Sequence, residues 1–421
     1  MSDTANTPAV DGRLDADIRD LAAVRDPDHS GWTREVFSEP YRESRELIAA
    51  KMRAAGLDVS TDGAGNIVGV LHGSRPSAPA LVTGSHTDTV SGGGRFDGTV
   101  GVLGGIELAR RLRESGTRLT RDLVVVDFLG EESNDYGLSC LGSRALAGEL
   151  TASDLDRRDV DGVRLGDRYA GFGLDPSRAL QAGWLRSRKL HAYVELHVEQ
   201  GPVLETKGIP IGVVTAITGI ERLLATFVGR PDHAGARPMN DRRDAMAAAA
   251  HAVLDVQRTG CGAPVHGVAT TTRLTSSPTS PNVVPGRVQM RAEMRSVDAD
   301  WLSGARRRLA EDILNHARGE GVDVTFEWST DNEITETSAA VHDIVARSAD
   351  ENGLPWTPVP SGATHDAVHL ARLCPMGMIF VPSLGGRSHC PEEWTDTAEI
   401  EAGVQVLTTT VRKLDRLDGV A

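Results

Sequence analysis

Two periodicities divide this chain. Continuous apolar runs at 80–83 and 376–382, and above all the stretch DLVVVDFLG at 122–130, predict strands buried on both faces, as in a parallel sheet. Residues 66–71 read as a further short strand, and 190–200, LHAYVELHVEQ, alternates with Glu195, His197 and Glu199 on one face. Helical spacing of apolar residues appears at 44–55, 100–112, 341–352, 366–372 and 397–417. The segment 151–189 is charge-rich with little period and predicts irregular helices and surface loops.

After Gly212 the order changes. Strand patterns at 222–228, 267–275, 287–296 and 322–328 enclose helical patterns at 241–256 and 299–318. That β-α-β-β-α-β order is the split pattern of a ferredoxin-like domain, here inserted into another. A length of 421 residues also favours two cores over one. The expected organisation is an α/β domain with a mostly parallel mixed sheet, residues 1–212 and 330–421, interrupted by a smaller domain at 213–329.

Chemistry-bearing residues gather where these strands end. His86 and Asp88 follow the run at 80–83 with the spacing of one strand face, so an imidazole can bind metal while a carboxylate orients it. Asp97 follows on a glycine-rich loop and could bridge two cations. Glu131 and Glu132 stand together just after the apolar run at 122–130, where two carboxylates repel unless a cation is near or one is protonated. His197 lies in the alternating strand and His389 follows the last apolar run. Taken singly, the His86–Asp97 segment also reads as a polar turn, and Glu131–Glu132 as an exposed acidic turn. Together they occupy the strand ends at which open α/β sheets place ligands. Glycines at 98, 101, 104 and 105 lack the G-x-G-x-x-G order of a dinucleotide fingerprint.

Composition narrows the partners. A net charge of −14 gives no basic face for nucleic acid, and no apolar run is long enough to span a bilayer. Four scattered cysteines and a polar N-terminus without a signal pattern predict a cytoplasmic protein acting on a small molecule.

The motifs GSHTDTV, GGRFDG, GEESNDYGLSCLGSRALAG, ELHVEQG, GRPDHAGARP, PNVVPG, MRS and GGRSHCPEE, in this order between residues 84 and 393, resemble the amidase, hydantoinase/carbamoylase family of dinuclear metallohydrolases. The resemblance implies a zinc-peptidase-like catalytic domain and two divalent ions per subunit, zinc or else manganese, cobalt or nickel. His86, Asp97 and His197 would hold one ion, and Asp97, Glu132 and His389 the other. Glu131 would be the general base toward a water activated by both ions, with Asp88 behind His86. Gln200 would contact a ureido group, and Asn282 and Arg295 a substrate carboxylate. His233 would reach across a homodimer formed by the inserted domain, which would also act as a lid. The implied substrate is an N-carbamoyl (ureido) amino acid, with allantoate or an N-acyl amino acid as alternatives. Two positions depart from the family pattern. Thr364 replaces a glycine expected against the substrate, and Asp232 replaces an amide beside His233, where a negative charge would raise that histidine's proton affinity.

Overall fold

The apolar runs set the centre of the sheet. In a computed structural model describing residues 12–182 and 189–420, the strands in chain order are β1 (Asp58–Thr61), β2 (Ile67–Leu71), β3 (Ala80–His86), β4 (Leu123–Phe128), β5 (Leu190–Val198), β6 (Ile211–Ile217), β7 (Gly219–Val228), β8 (Asp232–His233), β9 (Val268–Ser277), β10 (Val283–Val284), β11 (Arg287–Ser296), β12 (Asp323–Asn332), β13 (Thr335–Glu336), β14 (Trp356–Ser361) and β15 (Met376–Val381). The N-terminal segment, and residues 183–188 of the stretch expected to be irregular, lie outside the described residues.

Residues through Thr215, Thr337–Val359 and those from His365 onward form one unit. Its sheet runs β1-β2-β4-β3-β5-β15-β6, with β4, β3, β5 and β15 mutually parallel, β2 and β6 antiparallel to them, and β1 antiparallel to β2. β3, β4 and β15 are buried along their whole length because helices cover both faces, which is why their sequences carry no alternation. β5 does alternate, yet it too is buried from His191 onward, since its polar face lies over the polar strand ends and not in solvent. The helices Thr99–Glu114 and Thr397–Asp415 pack on this sheet through Val102, Leu103, Ile106, Val404, Leu407 and Val411. Gly84 in β3 has φ 144°, and a Cβ there would lie 2.0 Å from the Val126 carbonyl, so no other residue fits this close approach to β4.

Ala216–Glu336 with Pro360–Thr364 form the second unit. Four antiparallel strands in the order β12-β7-β11-β9 carry helices Ala245–Cys261 and Ala299–Gly319. Phe227, Val288, Met290, Leu309 and Ile313 are buried in the core between them. This unit begins three residues later than the periodicity suggests and extends to Glu336, and it regains the chain at Pro360–Thr364.

Candidate metal centre

Three parallel strands deliver their carboxyl ends to one place in the first unit. β3 ends at His86, β5 presents His197 one residue before its end, and β4 is followed by the turn bearing Glu131 and Glu132. The glycine loop after β3 carries Asp97 back, and the loop after β15 brings His389, at φ 56°, to the same point.

Asp97 divides its two oxygens. Oδ1 lies 3.3 Å from His197 Nε2 and 3.8 Å from His86 Nε2, while Oδ2 lies 3.1 Å from His389 Nε2, itself 3.2 Å from Glu132 Oε1. Within each trio, His86–Asp97–His197 and Asp97–Glu132–His389, the donor atoms fall inside 4.8 Å of one another. An edge of a tetrahedron with zinc-length bonds is about 3.3 Å, so both trios have the dimensions of a cation cage. The donor set of imidazoles and carboxylates suits zinc, manganese, cobalt or nickel.

Second partners fix the ring orientations. His197 Nδ1 donates to the Val198 carbonyl at 2.9 Å and its Nε2 accepts from the Gly98 N–H at 3.2 Å, so Nε2 is the unprotonated nitrogen and the one beside Asp97. His86 Nδ1 lies 3.1 Å from the Asp88 carbonyl and 3.6 Å from its carboxylate. That carboxylate accepts the N–H groups of Glu131 at 3.2 Å and Glu132 at 3.0 Å, so Asp88 orients the acidic pair as well as the histidine. Gly98, at φ 65°, has no room for a side chain, because a Cβ would lie 2.4 Å from His86 Nε2.

The electrostatics favour positive charge. Hydrogen bonds to Asp97 and Glu132 push the His389 imidazole up to about 11. Against the effect of burial, the neighbouring imidazoles of His197 and His389 hold the Asp97 carboxyl well below its usual range. Burial, joined by the charges of Glu132, Asp366 and Asp88, pushes Glu131 well above its range despite His86. Four buried carboxylates drawn together in this way are what a divalent cation stabilises. A cavity of about 500 Å³ opens beside them, lined by Asp88, Thr89, Glu132, Ser133, Asn134 and Tyr136 among others.

Gln200 belongs to the same centre, at φ 57°. Its Nε2 donates to Asp97 Oδ2 at 2.7 Å and to Ser388 Oγ at 3.2 Å, while its buried Oε1 has no hydrogen-bond partner among the described residues. Asn282, His233, Arg295 and Thr364 belong to the second unit. There β8 pairs with β10, placing His233 opposite Val283, and the Ala234 N–H donates to the Asn282 carbonyl, so the His233 and Asn282 backbones run side by side. His233 is exposed and its Nδ1 accepts from the Gly235 and Ala236 N–H groups, leaving Nε2 as the donor. Asp232 pairs with Arg230 at 2.8 Å and lies 3.6 Å from Arg237. Arg295 donates to Glu293 at 2.9 Å and to the Gly362 carbonyl at 3.1 Å, and Thr364 Oγ1 accepts from Asn332 at 2.7 Å.

Several supporting residues were not picked out from sequence. Glu195 accepts from Ser85 and Tyr193, and the His365 ring stands edge-on to His197 with centroids 4.5 Å apart; donor atoms of Glu195, His197 and His365 fall within 4.8 Å of one another, a further trio that shares His197. Period-2 spacing from His197 flags Glu195, but nothing local flags His365. Cys140, fully buried at φ 57°, donates its N–H to the Glu131 carbonyl at 2.8 Å and sets Sγ 3.4 Å from Glu131 Oε1. If Glu131 takes part in the chemistry, Cys140→Ala is expected to lower kcat about three- to tenfold with KM unchanged, as for loss of one weak hydrogen bond, and steady-state kinetics checks it.

Comparison with known proteins gives the lineage. Residues 82–413 match the model of peptidase family M20/M25/M40. The chain belongs to this family. M20 proteins are metal-dependent, in keeping with the two trios of donors. An N-carbamoyl-L-amino acid amidohydrolase of Geobacillus stearothermophilus is 38% identical over 96% of this chain and 98% of its own. A ureidoglycolate hydrolase of Arabidopsis thaliana is 34% identical over 98% of this chain and 87% of its own. The crystal structure of an amidase of the hydantoinase/carbamoylase family from Burkholderia vietnamiensis superposes with a TM-score of 0.85 at 34% identity, covering 96% of this chain and 97% of that one. This M20 chain therefore shares its whole fold with the amidases its motifs resemble. Among the described residues no helix is long and apolar enough to cross a membrane.

Proposed function

We propose that this M20 hydrolase cleaves the C–N bonds of an N-carbamoyl L-amino acid or a related ureido acid, such as allantoate. The division of Asp97's two oxygens between two donor trios, with a buried spare carboxylate on Glu131 close by, is the observation that carries the reading. The amidohydrolase and ureidoglycolate hydrolase relatives, similar along nearly the full chain, favour a ureido substrate over a peptide.

Two divalent ions, held by His86, Asp97 and His197 and by Asp97, Glu132 and His389, would supply Lewis acidity to the scissile carbonyl and to the attacking water. Glu131 takes the water's proton at a carboxylate oxygen and delivers it to the departing nitrogen. A base needs no metal contact of its own, and Glu131 Oε2 lies 3.7 Å from His86 Nε2, beside the first trio. In the overall balance one water enters, the C–N bonds of the ureido carbon break in turn, and ammonia, carbon dioxide and the free amino acid leave. Gln200 Oε1, buried and unpartnered, is suited to accept a ureido N–H. Asn282 and Arg295 hold the substrate carboxylate, Arg295 through its fork. His233, with Nε2 free to donate, assists the oxyanion from the partner of a homodimer joined through the second unit, which serves as lid. Zinc is the first choice of metal, and the cytoplasm the expected compartment.

Thr364 supports a second reading. Its side chain, pinned by Asn332, adds bulk where the family pattern has glycine, and could turn the site toward N-acyl amino acids. Ammonia release by metal-loaded protein, measured against N-carbamoyl-L-amino acids, allantoate and matched N-acyl amino acids, decides between them. Ammonia from a ureido acid is the expected result. Amine released from N-acyl compounds without ammonia would overturn the ureido reading in favour of the second.

A further inference from the structure

The loop that bears Asp97 is held by a residue almost three hundred positions away. Glu393, 1% exposed, accepts the N–H of Phe96 at 2.7 Å and of Asp97 at 3.1 Å on Oε1. Its other oxygen, Oε2, lies 2.7 Å from Ser388 Oγ, and Ser388 Oγ lies 2.9 Å from Asp97 Oδ2. One carboxylate thus grips the backbone of the shared aspartate and shares the single Ser388 hydroxyl with one of its two oxygens.

The surroundings are built for this grip. A Cβ on Gly94 would lie 2.2 Å from the Glu393 carboxyl carbon, so glycine is what lets Glu393 tuck beneath the loop. Beside it the Arg95 guanidinium is sandwiched by Trp394 at 4.5 Å and Trp32 at 4.8 Å, and Phe96 meets Trp394 edge-on at 5.5 Å. Residues 94–97 and 393–394 are therefore zipped together by polar and aromatic contacts at once. The same short loop that supplies His389 to one trio fixes the carboxylate common to both.

We propose that Glu393 is a positioning residue for the metal pair: by holding the Asp97 loop and, through Ser388, Asp97 Oδ2, it keeps the two Asp97 oxygens apportioned one to each trio. A free aspartate would rotate and chelate a single ion with both oxygens. Glu393 removes that alternative, so both cages are formed before any cation arrives. The inference rests on the dinuclear reading above and adds to it the residue that enforces the sharing.

The test is zinc binding by the full metal-stripped chain, measured by competition with a chromophoric chelator and free of any activity readout. Glu393→Ala is expected to weaken zinc binding about 10- to 100-fold, the usual cost of losing a group that orients a ligand. Glu393→Gln keeps a carbonyl for the two N–H groups and sets an amide N–H to donate to Ser388 Oγ, which frees the Ser388 proton for Asp97, and it is expected to stay within about threefold of the parent, since the loop stays held. Ser388→Ala, which cuts only the relay, is expected to lose about tenfold, and it carries the test if Glu393→Ala fails to fold. Zinc affinity unchanged in Glu393→Ala, or in Ser388→Ala should the former not fold, would overturn the proposal. Glu393→Gln as weak as Glu393→Ala would do so too, because charge and not placement would then be responsible. A parent chain that takes up a single zinc would instead remove the dinuclear reading itself.

Discussion

Asp97→Ala should break up the metal pair and abolish turnover. Asp97 is the one residue common to both donor trios, and each of its oxygens faces at least one histidine nitrogen within 3.3 Å. Losing it leaves one pair of donors in each cage, below the three protein ligands that catalytic zinc sites keep. It also strips Gln200 and Ser388 of their shared acceptor. The expected loss in kcat/KM is on the order of 10⁴-fold or more, since the metal supplies most of the electrostatic stabilisation in such sites. Zinc content by elemental analysis should fall from two per chain to one or fewer. A variant retaining two ions would show that Asp97 is not the bridge.

Glu131→Gln is expected to separate binding from chemistry. Its amide keeps the shape of the side chain and the backbone N–H still reaches Asp88, so both ions should remain. Turnover should fall by about 10²- to 10⁴-fold, the range for removing a general base, with KM little changed. The comparison with Asp97→Ala is informative because the two side chains lie close around His86 yet should fail in different ways. Loss of metal in Glu131→Gln would recast it as a ligand, and full activity would remove it from the mechanism.

Much of this centre could be read from the sequence because strand ends are strongly marked. The apolar run into Phe128 predicts a strand buried on both faces, and whatever follows it must emerge at the carboxyl end of the sheet; Glu131 and Glu132 do so. The same reasoning places His86 and His389. The βαββαβ order of the second unit is legible for a similar reason: β11 alternates buried and less buried residues along ten positions.

What stayed hidden depends on distant partners. Glu393 reads as one more acid in a polar loop until the fold sets it under Phe96, and Cys140 as an ordinary thiol until it meets Glu131. β14 escaped notice because Pro358 and Pro360 interrupt its pattern, which a strand pairing with β6 outside the main order tolerates. The helix Arg13–Ala23 reads in the sequence as a polar terminus, because its apolar stripe of Leu14, Ile18 and Leu21 is narrow, yet that stripe packs into the main core. Arg34, wholly buried, donates to the carbonyls of Thr87 and Val24, and no local pattern marks an arginine for burial.

The most direct measurement is ammonia release from an N-carbamoyl-L-amino acid while zinc is titrated into the metal-stripped chain. The stripped protein should release no ammonia, and activity should rise with added zinc and level off at two ions per chain. Ammonia release that persists without metal, or that saturates at a single ion, would contradict it.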